Sequence, residues 1–230
     1  MNQLVTDAIV LKRTNYGEAD RIITVLTPEQ GKVSLLARGV RKPKSKLAGG
    51  IELFSISNLT YIRGRGSLNT LVSARLDTHY GRIVKHIDRV QLGYELIKIL
   101  DRATEDEPES DYFDVLHKAF AALDDATIST DLIRFWFSCQ LLAIGGNQPN
   151  LSSDTEGSVL TTDGRYTFDF DNVSFASHPD GAFVADQIKF LRLAFAGNQP
   201  AALQRIQGKT AILPTVSPLV QTMLTSYIRL

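Results

Sequence analysis

Over the first eighty residues apolar and polar positions alternate at period two, the spacing of strands that bury one face. Ala8-Ile9-Val10-Leu11-Lys12-Arg13 predicts one strand and Arg21-Ile22-Ile23-Thr24-Val25-Leu26-Thr27 a second. Thr27-Pro28-Glu29-Gln30-Gly31 reads as a turn, with proline presetting φ and glycine free to take positive φ. Lys32 to Gly39 predicts a third strand, Glu52 to Ile62 a fourth and Ser67 to Leu76 a fifth, the last two joined by a turn at Arg63-Gly64-Arg65-Gly66. Between strands three and four lies a longer loop, closed by Ala48-Gly49-Gly50, which is expected to be flexible. Short turns and one long loop suit a small closed barrel of OB type. An SH3-like barrel would fit the same pattern, and the strand order stays open.

From Tyr80 the period changes. Ile83, Ile87, Val90, Tyr94 and Ile97 recur at steps of four and three, with Val84 and Leu100 widening the stripe, so an amphipathic helix is expected to end near Arg102. Glu105-Asp106-Glu107-Pro108-Glu109 reads as an acidic linker whose charges favour the next helix N-terminus. Further helices are expected over 112–123, 131–144, 182–195 and 218–230, with Thr130 or Asp131 capping the second. Between 146 and 181 the chain turns to Ser, Thr, Asp, Asn and Gly, with β-like pieces such as Arg165 to Phe170; an irregular insert is expected there. The fold class is therefore α+β: a five-stranded OB-type barrel over 1–79, then a mainly helical domain over 80–230.

Composition adds bounds. At 230 residues and 43% hydrophobic, the chain can bury one large core or two smaller ones. Its single cysteine, Cys139, excludes internal disulfides and cysteine-based zinc sites, and its apolar surroundings read as a buried thiol. The N-terminus lacks the charged and apolar regions of a signal peptide, and no stretch approaches ~18 apolar residues. A cytoplasmic, nucleoid-associated protein is expected.

The net charge of zero hides an asymmetry. Residues 1–88 hold fourteen Lys and Arg against seven Asp and Glu, a net +7; residues 89–230 hold eleven against eighteen, a net −7. Segregated charge of this size attracts a polyanion to one part of the chain. Within 38–46 stand Arg38, Arg41, Lys42, Lys44 and Lys46 with no acid among them. Cations at this density neutralise phosphates and release counterions. Gly39, Gly49 and Gly50 would let backbone approach a strand, and Lys12, Arg13, Arg21, Arg63 and Arg65 could extend the groove, as could Arg75 and Arg82. Tyr16, Phe54 and Tyr61 are aromatic platforms for stacked bases, although Phe54 and Tyr61 read first as core.

Enzyme signatures are sparse. His79, His86, His117 and His178 lack a matched ligand set, and Gly64-Arg65-Gly66 lacks the third glycine and the following helix of a dinucleotide fingerprint. Asp124-Asp125 and Asp169-Phe170-Asp171 read as solvated turns. A metal-dependent phosphoesterase would have to use Asp77, His79 and His86, and an RNA-binding OB module is the other alternative.

Asp20 to Thr27, then Gly31-Lys32-Val33, then Ala37-Arg38-Gly39-Val40-Arg41-Lys42-Pro43-Lys44-Ser45-Lys46 resembles the N-terminal signature of the RecO family of recombination mediators. Leu53-Phe54 and Arg65-Gly66-Ser67-Leu68 fall where that family has its later motifs. Leu141 to Leu151 resembles the segment before that family's zinc-binding insert. The resemblance implies an OB barrel, a helical domain and a non-enzymatic role. That role is binding single- and double-stranded DNA, annealing complementary strands, and helping RecA replace single-strand binding protein together with RecR. It also implies that the helical domain binds the acidic, apolar tail of single-strand binding protein, for which Lys189, Arg192 and Arg205 are candidate cations. Where many relatives carry two cysteine pairs, Ser153 and Glu156 stand at the first, and no cysteine lies near His178. The insert is therefore expected to fold without zinc, through its own packing, and no cofactor is expected.

Overall fold

The computed structural model describes residues 3–104 and 110–227, which fall in two compact units, Met1–Asp125 and Ala126–Leu230. The acidic stretch at 105–109 and the expected end of the last helix lie outside the described residues.

The first unit is built on β1 (Gln3–Tyr16), β2 (Asp20–Thr27), β3 (Gly31–Ala37), β4 (Ser55–Ile62) and β5 (Leu68–His79). They close into a barrel in the order β1-β2-β3-β5-β4. One long strand makes closure possible. Gln3–Ile9 of β1 pairs with β4, whereas Ile9–Tyr16 pairs with β2 across a bulge between Val10 and Lys12. Such an extra residue bends a strand and raises its twist. The last seam is parallel, Ser34–Leu36 of β3 against Leu68–Thr70 of β5. The result is the five-stranded OB arrangement expected from the alternation. Alternate residues of every strand fill its interior, among them Val10, Ile23, Val25, Leu35, Leu59, Tyr61 and Leu71.

Ile9, Leu11, Leu26 and Ile56 face outward by the same alternation, yet they too are buried. Helices α1 (Ile87–Ala103) and α2 (Ser110–Asp124) pack on β1 and β2 and cover this flank. The compact unit thus runs past the boundary expected at residue 79. Phe54 pins the seam: it is buried, takes φ 55° and meets Tyr94 and Phe120 edge-on at 5.4 and 5.5 Å. Gly93 admits it, because a Cβ there would lie 2.5 Å from the Phe54 ring.

The helix expected from Tyr80 begins later, after a 3-10 turn at Ile83–Lys85. Its stripe is also rotated: Ile87 and Tyr94 are 73% and 51% exposed, while Leu92, Gly93, Leu96, Ile97 and Leu100 are buried. The 3-10 turn puts Ile83 out of phase with the helix, and the close contact at Gly93 carries no apolar signal.

The second unit centres on α3 (Thr130–Ile144), buried along most of its length around Trp136, whose Nε1 donates to the Asn198 carbonyl at 2.6 Å. Its cap is Ser129, whose hydroxyl accepts the Leu132 N–H, rather than Thr130 or Asp131. The insert holds more structure than expected. Strands β6 (Asn150–Asp154), β7 (Tyr166–Asp169) and β8 (Ser174–Ser177) form a sheet in the order β6-β8-β7. Phe168, Phe170, Phe175 and Phe183 pack edge-on in series, with centroids 5.0–5.3 Å apart, so ring burial consolidates it. Then follow α4 (Ala185–Phe195), α5 (Pro200–Gln204) and α6 (Lys209–Tyr227). The last helix starts nine residues before the expected Pro218 and carries Pro214 and Pro218 inside it. Burial of Ile212, Val216, Leu219, Val220, Met223 and Leu224 outweighs the hydrogen bonds that the prolines remove. No helix among the described residues is long and apolar enough to cross a membrane.

Candidate nucleic-acid interface

The basic loop leaves β3 at Arg38 and is held by its backbone. Gly39, at φ 63°, donates its N–H to the Asp20 carboxylate at 2.7 Å, and Arg41 N–H donates to the Ala19 carbonyl at 2.9 Å. Between these anchors Val40 inserts into the barrel core. Turns follow from Lys42 N–H to the Gly39 carbonyl and from Ser45 N–H to the Lys42 carbonyl. The closing segment Ala48–Gly50, expected to be flexible, is a 3-10 turn docked on β5. Gly50 is buried, and a Cβ on it would stand 2.5 Å from that of Ala74. The loop is thus fixed along its backbone, and its freedom lies in the side chains.

Arg38, Arg41, Lys42, Lys44 and Lys46 are all exposed, and none forms an ion pair among the described residues. Arg41 Nη1 does reach the Gly17 carbonyl at 3.3 Å, bracing the neighbouring β1–β2 turn. Beside the loop the barrel offers an open face whose rows follow from strand register. One row is Thr14, Ile22, Leu36 and Thr70; the next is Lys12, Thr24, Ser34 and Leu68. Tyr16 stands at the end of β1, 54% exposed, as a ready platform. Phe54 and Tyr61 are core residues, 3% and 2% exposed.

The remaining cations divide. Lys12 and Arg65 are exposed, on β1 and on the β4–β5 turn. Arg21 donates from Nε to Asn15 Oδ1 at 3.1 Å, and Arg63 from Nη2 to Gln30 Oε1 at 2.8 Å, so both are oriented while keeping their charge. Arg13 is committed to Glu52 at 3.0 Å and to the Ile51 carbonyl, tying β1 to the segment before β4. Its charge is offset, and it belongs to the scaffold. Alternation alone missed Ile22 and Leu36 as face residues, because their neighbours Ile23 and Leu35 are equally apolar and only closure of the barrel assigns the sides.

The three cations named for a partner in the helical domain are not brought together. Lys189 borders a small groove with Val184, Leu193 and Ile206. Arg192 Nε donates to the Leu151 carbonyl at 2.7 Å, a structural tie, and Arg205 follows α5 in solvent. A larger groove of about 800 Å3 lies between α3 and α6, with Phe135, Leu213, Pro214 and Val220 on its walls and Arg134 and Lys209 beside it.

Residues considered for metal chemistry do not converge. Among the described residues no three His, Cys, Asp or Glu side chains stand as a metal-binding group, so Asp77, His79 and His86 form no such centre. Asp169 accepts from the Asn172 side chain and from the Asn172 and Asp171 N–H groups, bonds that hold its carboxyl below the usual range and close a turn. In the insert, the side chains at the positions singled out by the resemblance close turns. Ser153 Oγ accepts from Asn150, Asp154 closes a turn by accepting the Glu156 and Ser158 N–H groups, and His178 Nδ1 accepts the Asp180 N–H. Cys139 is fully buried and burial pushes its thiol well up, which makes it inert.

Two family models account for nearly the whole chain. Residues 1–80 match "Recombination protein O N terminal" and residues 85–230 match "Recombination protein O C terminal". The chain belongs to the recombination protein O family. Among its relatives is the DNA repair protein RecO of Roseiflexus sp. (strain RS-1), 33% identical over 97% of this chain and 79% of the relative. The DNA repair protein RecO of Desulforamulus reducens is 32% identical over 78% of this chain and 67% of its own length. That of Halalkalibacterium halodurans is 25% identical over 96% and 87%. The recombination protein O models divide near residue 80, whereas compactness divides the chain after Asp125, because α1 and α2 pack on the barrel.

Proposed function

We propose that this chain is a non-enzymatic mediator of recombinational DNA repair that binds single- and double-stranded DNA and anneals complementary strands. The carrying observation is a loop fixed beside an open barrel face, with five exposed cations that form no ion pair among the described residues. Phosphates meet Arg38, Arg41, Lys42, Lys44 and Lys46, with Lys12, Arg21, Arg63 and Arg65 extending the track. Bases lie over Ile22, Leu36 and Tyr16. Annealing needs no base code from the protein, since the strands read each other. The protein's task is to screen phosphate repulsion, which unpaired cations on long side chains perform without a fixed register.

Family membership supports the remaining partners: RecR, the tail of single-strand binding protein and, through them, RecA. The groove between α3 and α6 suits an acidic, apolar tail better than Lys189, Arg192 and Arg205 do, because it sets apolar walls beside Lys209, while Arg134 at its edge pairs with Asp131 at 3.4 Å. A cytoplasmic, nucleoid-associated location follows from such a substrate.

Reversing Arg41, Lys42 and Lys44 to glutamate tests the reading by anisotropy titration of a single-stranded oligomer at several salt concentrations. Affinity should fall more than tenfold, and the slope of log K against log salt should become shallower by about 2, at about 0.7 per lost phosphate contact. Unchanged affinity and slope would refute it. A parallel titration with RNA of equal length separates the DNA reading from an RNA-binding module.

A further inference from the structure

At one end of the barrel, β3 and the turns before it and before β5 border an open cavity of about 390 Å3. That lies within the roughly 300–1,000 Å3 range of small-ligand pockets. Its base is Tyr61. The residue is only 2% exposed because its ring fills the barrel interior. Its hydroxyl makes no hydrogen bond to any described residue and is not fully buried, and Tyr61 lines the cavity. Burial holds this hydroxyl protonated to higher pH than an ordinary phenol, with Arg63 lowering and Glu29 raising the effect. A neutral O–H therefore waits for an acceptor.

The walls are preorganised. Asn69 Oδ1 accepts the Gly64 N–H and its amide donates to the Ser34 carbonyl, which locks the β4–β5 turn to β3. Gly64 cannot be replaced there, since a Cβ would overlap the Leu68 carbonyl. Arg63 is steered by Gln30, and the Lys32 ammonium is tethered to the Asp101 carbonyl at 2.8 Å with the Asp101 carboxylate at 3.6 Å. Glu29 stands close by and accepts from Thr6 Oγ1. Ser34 belongs both to this cavity and to the open barrel face, so a strand tracking that face arrives at its mouth.

We infer that this cavity is a subsite for one nucleotide of the bound strand, with the phosphate held by Arg63 and the base turned inward to Tyr61. The inference rests on the DNA-binding reading and deepens it. Cations at the rim with neutral hydroxyl and amide groups within match the order of charge in a nucleotide, phosphate outside and polar base edge inside. An unpartnered, protonated hydroxyl at the floor gives a base carbonyl or ring nitrogen its donor.

The test uses Tyr61→Phe, which keeps the ring in the core and removes only the hydroxyl, and Ser67→Ala, at an exposed position on the turn. Single-stranded 15-mers carrying one 2-aminopurine are titrated at each position. Wild type should change the fluorescence of the probe, and Tyr61→Phe should abolish that change. Tyr61→Phe should also weaken binding about 2- to 10-fold, the scale of one hydrogen bond, with the salt slope unchanged; Ser67→Ala should reproduce the effect in part. If both variants bind as wild type with the same fluorescence change, the subsite is refuted while DNA binding stands. If wild type itself ignores the oligomers at low salt, the underlying reading falls with it.

Discussion

Arg13 and Arg41 carry the same charge on the same barrel and have opposite fates. Arg13 is spent on Glu52 and a carbonyl, whereas Arg41 points its charge at solvent. Arg41→Gln should weaken binding of a single-stranded oligomer several-fold, and Arg13→Gln should change it less than twofold while lowering the melting temperature slightly; anisotropy and thermal melts check both. The modest stability effect follows from the half-exposed Glu52, since such pairs contribute about 0–1 kcal/mol. Tyr80 carries a pH signature. Burial, then Asp124 and Asp77, raise its hydroxyl from 10.0 to about 12. The folded state therefore holds this proton more tightly than the unfolded chain. The contribution is complete below pH 10.0 and is lost as pH climbs towards about 12. Denaturation of wild type between those limits should show a falling midpoint, and Tyr80→Phe should flatten it.

At the scale of elements, the loop that presents the cations ends in two glycines that the sequence could not tell apart, and it depends on one of them. Gly49 has open space around it; Gly50 has Ala74 side chain and backbone within 2.6 Å of an added Cβ. Gly49→Ala should leave stability unchanged. Gly50→Ala should cost about 1–3 kcal/mol, the scale of core overpacking, and weaken DNA binding by displacing the loop. Urea denaturation of the two variants side by side decides it. The pair shows why the segment read as a flexible closure: glycine permits both freedom and close approach, and only the neighbour distinguishes them. Similar ambiguity hid the α1 phase. Val84, Ile87 and Tyr94 form a plausible stripe, but the buried side contains Gly93, whose value is the room it leaves for Phe54.

At the scale of the molecule, the strands alone do not make the first unit. Ile9, Leu11, Leu26 and Ile56 stay buried because α1 and α2 cover them. A fragment of residues 1–125 should melt cooperatively, whereas one of residues 1–79 should expose that flank and aggregate or bind a hydrophobic dye. Calorimetry and dye fluorescence separate these outcomes. The charge division of +7 over residues 1–88 against −7 over the rest does not follow the compact units: residues 1–125 hold eighteen Lys and Arg against seventeen Asp and Glu, because residues 89–125 bring ten acids against four cations, so the basic character belongs to the strands and their loop. In the second unit, a run of edge-on phenylalanines and carboxylate-closed turns consolidates the insert.

By itself the sequence determined the five strands of a small barrel, the placement of the cationic loop and the helical remainder, because period-two alternation and charge runs are local properties of the chain, whereas the strand order that separates an OB from an SH3-like barrel came from the tertiary structure. Tertiary structure alone decided which of two adjacent isoleucines, Ile22 or Ile23, faces the open surface, which arginine is free, which glycine is packed and that α6 runs through two prolines. Each of those outcomes depends on a partner distant along the chain, and a residue's own chemistry does not specify who its neighbour will be.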